Sequence, residues 1–102
     1  MASLELKDPN LFREACYING KWVGADSNQT IDVTNPATGD VLGTVPKMGA
    51  HETRAAIEAA NEAYPAWRAK TAKERASILR KWFDLMMENQ EDLARMMTAE
   101  QG

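Results

Sequence analysis

The stretch from Thr71 to Gly102 constrains this chain more than any other, because apolar residues recur through it at the period of an α-helix. Stepping roughly 100° per residue from Ala76 collects Leu79, Trp82, Phe83, Met86 and Met87 on one side, and Ile78 and Leu85 widen the apolar arc to about 200°. Ser77, Arg80, Lys81, Asp84 and Glu88 fill the remaining sector. An ordinary surface helix needs an apolar stripe of only ~100°. This one calls for cover from more than one neighbouring element.

The rest of the chain is short of material for that cover. A chain of 102 residues makes at most one compact domain, and at this length it buries only about two-thirds of its unfolded surface. The net charge is -3 with both signs interspersed, so no basic footprint for nucleic acid or an anionic membrane emerges, and acidic substrates are not singled out. A single cysteine, Cys16, excludes an internal disulfide framework and fits a reducing compartment. No basic start precedes an apolar leader segment, and no apolar run approaches the ~18 residues of a membrane span. The expected location is the cytoplasm.

Taken in order, residues 1–10 are expected to form a flexible terminus up to a short helix capped by Asp8, with Pro9 at its first position and continuation through Arg13. Phe12 would anchor it. The β-prone triplets Cys16 to Ile18 and Lys21 to Val23 flank Asn19-Gly20, the dipeptide suited to a tight hairpin turn in which both central residues take positive φ. After a polar loop, Thr30 to Thr34 alternates at the strand period. Asn35 to Asp40 is a turn cluster, Val41 to Val45 returns as the partner strand, and Pro46 ends it. A helix is predicted from about His51, with Pro65 stopping or kinking it near Tyr64. Thr71 and Glu74 make the Thr-x-x-Glu capping box of the next helix, which runs to about Asn89. Glu91 and Asp92 open a third helix, striped by Leu93, Met96 and Met97, and Gly102 suits the left-handed position that ends it. The expected class for these residues is α+β: two N-terminal β-hairpins followed by three helices.

Side chains able to do chemistry are few. Cys16 would need an activating base to be a nucleophile, and the sole histidine, His51, lies on a different element, so a buried thiol in a strand is the better reading. His51 beside Glu52 lacks a second histidine or cysteine at ligand spacing and reads as an exposed first-turn residue rather than a metal ligand. The amides from Gly49 to Glu52 open a helix N-terminus that suits an anion, but Glu52 opposes one there. No glycine-rich phosphate loop is present. Tyr64 to Phe83 has the outline of a helix-turn-helix with several basic residues nearby, against which Glu74, Asp84 and Glu88 lie on the face that would meet phosphates. The methionines Met86, Met87, Met96 and Met97 read as core filler unless the rest of the core is elsewhere.

The succession Ile18-Asn19-Gly20, Asn35-Pro36-Ala37, Ala66-Trp67-Arg68, Glu74-Arg75 and Glu100-Gln101-Gly102, in that order, resembles the N-terminal portion of the aldehyde dehydrogenase superfamily, nearest its bacterial succinate-semialdehyde dehydrogenases. The resemblance runs from about Leu11 to Gly102. It implies an α/β enzyme with a Rossmann-like coenzyme domain, of which residues 11–102 are the N-terminal part, truncated before the catalytic domain. The implied reaction is NAD- or NADP-dependent oxidation of an aldehyde, succinate semialdehyde to succinate, through a cysteine thiohemiacetal and a thioester that a glutamate-activated water hydrolyses. In the family that cysteine, that glutamate, the coenzyme site and an arginine for the substrate carboxylate lie downstream. The resemblance therefore assigns no catalytic, coenzyme-binding or metal residue to this chain, and Cys16 does not match the nucleophile motif. It implies an aldehyde as the small-molecule partner, no nucleic acid or membrane partner, a homotetramer by family analogy, and a 102-residue chain that is inert alone. The competing reading is a free-standing helical interaction module, a nucleic-acid binder among its options.

Overall fold

Two antiparallel hairpins precede three helices in the computed structural model, which describes residues 4–102. Of the terminus expected to be flexible, Met1 to Ser3 lie outside the described residues. A 3-10 turn, Pro9–Leu11, is followed by β1 (Cys16–Ile18), β2 (Lys21–Val23), β3 (Thr30–Thr34) and β4 (Val41–Pro46), then α1 (Ala50–Ala69), α2 (Ala72–Glu88) and α3 (Gln90–Gln101). The order and class are those expected from the sequence.

Local chemistry accounts for most of these boundaries. Asn19 and Gly20 take φ of 52° and 76°, the pair of positive values that reverses the chain within two residues. That turn sets Tyr17 opposite Trp22, with ring centroids 5.0 Å apart and the Arg13 guanidinium 4.8 Å from the Trp22 ring. The second hairpin pairs Ile31 with Val45 and Val33 with Gly43, then slips so that Thr34 faces Val41. Phe12 lies over this hairpin; a Cβ on Gly43 would stand 2.7 Å from its ring. Pro46 closes β4 as the last paired residue, opposite Thr30.

Three helical expectations change in detail. The Asp8-capped turn ends at Leu11 rather than Arg13, although the Asp8 carboxylate does accept from the Asn10 amide at 3.1 Å. The first long helix starts at Ala50. It also runs through Pro65 without stopping, to Ala69. Proline deprives one carbonyl of its helical donor, an interior cost of ~3 kcal/mol. Here the four-back residue, Asn61, is exposed, while Arg68 reaches over the Tyr64 ring at 5.6 Å and ties the turns on either side.

The capping box at the start of α2 is complete. The Thr71 hydroxyl accepts from the Glu74 amide at 3.1 Å, and the Glu74 carboxylate accepts from the Thr71 amide at 3.2 Å. Thr71→Ala is expected to cost about 1 kcal/mol, since it removes the hydroxyl that accepts from the Glu74 amide and leaves only the carboxylate half of the box. Urea unfolding followed by far-UV circular dichroism reads it, and an unchanged midpoint would remove the cap from any account of α2. At the far end, Gly102 adopts φ 76° and donates to the Thr98 carbonyl at 2.9 Å, the left-handed stop expected of it.

What these elements lack is a common interior. Among the described residues only Ala25, Pro46 and Asp92 are buried. The radius of gyration is 16.6 Å, against ~13 Å for a compact domain of this length. No helix among the described residues is long and apolar enough to cross a membrane.

Candidate functional site

A broad apolar groove lies between α2 and α3. About 600 Å³ in volume, it is lined by Trp82, Leu85 and Met86 from α2, by Leu93, Met96 and Met97 from α3, and by Leu11 across its end. The α2 face that borders it is incompletely covered. Leu79 is 51% exposed, Trp82 59% and Met86 41%, although all three belong to the arc that the sequence marks as inward-facing. Of the methionines expected as core filler, Met86, Met96 and Met97 line this open surface, and Met87 is exposed beside it. Arg75 falls in the middle of the same arc, and its Nε is screened from solvent with no hydrogen-bond acceptor among the described residues. A lone cation inside an apolar stripe was the sequence signal for it.

Asp92 organises the other side of α3. It is 3% exposed, and its two carboxylate oxygens accept from the consecutive amides of Lys7 and Asp8 at 2.8 Å and 2.9 Å. Those bonds, that of Lys7 foremost, hold its carboxyl below the usual carboxylate range, and the Lys7 and Arg95 charges act in the same sense. The sequence presents Asp92 only as a first-turn acid. Its inward role has no local signature, because the amides that it binds lie more than eighty positions away.

At the start of α1, Asp26, His51 and Glu52 converge, with their ligand-capable atoms within 4.8 Å of one another. His51 is exposed, as its position in the first turn implies. Its Nδ1 lies 2.8 Å from Asp26 Oδ2, and the side chains are 81% and 69% exposed. Glu52 accepts from the Asp26 amide at 3.2 Å, and amides of its own first turn, its own and that of Gly49, join in holding its carboxyl below the usual range. The N-terminus suited to an external anion is thus filled by the chain's own carboxylate. Each member of the trio is engaged with another part of the same clasp, which joins the loop before β3 to α1. Asp26 carried no motif that pointed to this.

The other candidates remain apart. Cys16 is half-buried in β1, not fully buried as expected. His51 is paired with Asp26 and not with a thiol. The basic residues of the helix-turn-helix outline include Arg80, whose Nε is 3.3 Å from the Asp84 carboxylate. Among the described residues α1 begins with a filled N-terminus, and neither hairpin leads through a glycine-rich turn into a helix.

Comparison with known proteins places the chain in context. The aldehyde dehydrogenase family model matches residues 22–102. A glutarate-semialdehyde dehydrogenase of Pseudomonas putida is 69% identical over 97% of this chain and 21% of its own length. An NADP(+) succinate-semialdehyde dehydrogenase of Escherichia coli is likewise 69% identical over 97% of this chain and 20% of its own length. The crystal structure of an E. coli NADP-dependent enzyme superposes with a TM-score of 0.93 at 69% identity, covering 96% of this chain and 20% of that one. The chain thus spans about a fifth of the length of the relatives that it matches.

Proposed function

The chain belongs to the aldehyde dehydrogenase family, and on that premise we propose that it is the leading part of the coenzyme-binding domain of an NAD(P)-dependent enzyme that oxidises a carboxylate-bearing semialdehyde. Succinate semialdehyde is the first choice of substrate. The supporting observation is the 69% identity to relatives named for succinate and glutarate semialdehydes. These two substrates share an aldehyde at one end and a carboxylate at the other, so one recognition problem serves both.

In this reading the 102 residues contribute architecture. The hairpins and α1 form an outer layer held by the Asp26, His51 and Glu52 clasp, while α2 and α3 turn their apolar faces toward a sheet made by other residues. The open groove and the large radius of gyration are what such a layer has when described alone. Nucleophile, water-activating base and coenzyme site are assigned to those other residues, and catalysis requires them together in one positioned set. The enzyme is placed in the cytoplasm as a homotetramer. A nucleic-acid role receives no support from the comparisons.

The test is an assay of two proteins. The 102-residue chain should reduce neither NAD nor NADP with succinate or glutarate semialdehyde. A chimera in which it replaces the matching fifth of the E. coli relative should reduce the coenzyme with succinate semialdehyde. Turnover by the chain alone would overturn the assignment of chemistry, and an inactive but folded chimera would overturn its role as a coenzyme-domain layer.

A further inference from the structure

Arg75 stands one turn before Leu79 on α2 and in line with Trp82 and Met86. Two independent observations meet on this stripe. The three apolar side chains are each more than two-fifths exposed, and the Arg75 Nε, shielded from water, has no acceptor among the described residues. A buried donor left unmatched is costly, and a guanidinium most favours a carboxylate that it can grip through two parallel bonds.

We propose that this stripe is a docking surface for a segment from the four-fifths of the family polypeptide that the chain does not span, and that the segment is apolar opposite Leu79, Trp82 and Met86 and carries a carboxylate that accepts from Arg75. The proposal rests on the coenzyme-domain reading above. Length favours this occupant, since the matched relatives are about five times as long as the region they share with the chain. Charge argues against a second copy of the chain. The α2 arc carries Arg75 and no carboxylate, so packing one arc on another would bring together two unmatched cations. Arg75 is then a positioning residue, setting the register of α2 on the segment that covers it.

The experiment uses the E. coli chimera and the free chain, each with Arg75, Arg75→Met or Arg75→Lys. In the chimera, Arg75→Met should lower Tm by about 3 °C or more, because it strands a buried carboxylate. Arg75→Lys should recover less than half of that loss, since lysine lacks the two-pronged geometry. In the free chain neither substitution should alter helix content. A chimera whose Tm ignores Arg75→Met overturns the proposal. So does a chimera that fails to fold with Arg75 in place, or a free chain that sediments as a dimer dispersed by Arg75→Met. Aldehyde oxidation is scored separately: an inactive chimera with an Arg75-dependent Tm sinks only the functional reading, and an active one indifferent to Arg75→Met sinks only this one.

Discussion

Replacing Trp82 by alanine is expected to be mild in the 102-residue chain and severe in the chimera with the E. coli relative. In the chain the indole is 59% exposed, so truncation removes the contacts of less than half its surface, about 1–2 kcal/mol. If the remainder of the family polypeptide covers α2, the same truncation leaves a cavity the size of an indole in a packed interior, at a cost of about 3–5 kcal/mol. Urea unfolding of both proteins measures the difference. Equal and small effects in the two would show that the α2–α3 groove stays open in the longer protein, and the apolar arc would then need another explanation. The contrast matters more than either value, because fold, residue and substitution are the same and only the covering polypeptide differs. It also predicts that the free chain binds a hydrophobic dye and that Trp82→Lys weakens this binding.

Asp92→Ala is expected to free the segment at Lys7 and Asp8 from α3. The two amides now give both of their hydrogens to one carboxylate that is 3% exposed. Without it, their hydrogen exchange should quicken by about tenfold or more, since opening no longer breaks two charge-assisted bonds. Amides in the middle of α1 should keep their rates. Unchanged exchange at Lys7 and Asp8 would show that Leu4 and Leu6, both half-buried, hold the segment without help. The same bonds set a pH dependence. The folded carboxyl is held below its ordinary range, so its contribution is fully present above the unfolded value of about 4 and is lost as pH falls through the lower folded value. Glu52 and Glu74, lowered chiefly by backbone amides, act in the same direction. Acid should therefore loosen the chain, and Asp92→Asn, which cannot titrate, should flatten that limb. A stability that rises on acidification would contradict the assigned bonds.

Much of the local structure was legible because its causes lie within a few residues of one another. Asn19-Gly20 dictates a hairpin by its tolerance of positive φ, Thr71 and Glu74 cap a helix three positions apart, and Gly102 ends another. Pro65 was misleading for a related reason. Its local penalty is real, but whether a helix stops there depends on its surroundings, here the exposed turn at Asn61 and Arg68 over the Tyr64 ring.

Element order, turns and caps, the amphipathic arc of α2 and, through an ordered set of short motifs, the family were all written in the residues. That Asp92 turns inward onto Lys7 and Asp8, that Asp26 meets His51 and Glu52, and that Arg75 has a screened donor on a stripe still open to water emerged only in three dimensions. The difference is one of range. Dihedral preference and helical period act between near neighbours, whereas a carboxylate's partner 85 positions away, or the want of one, exists only once the chain has been brought together in space.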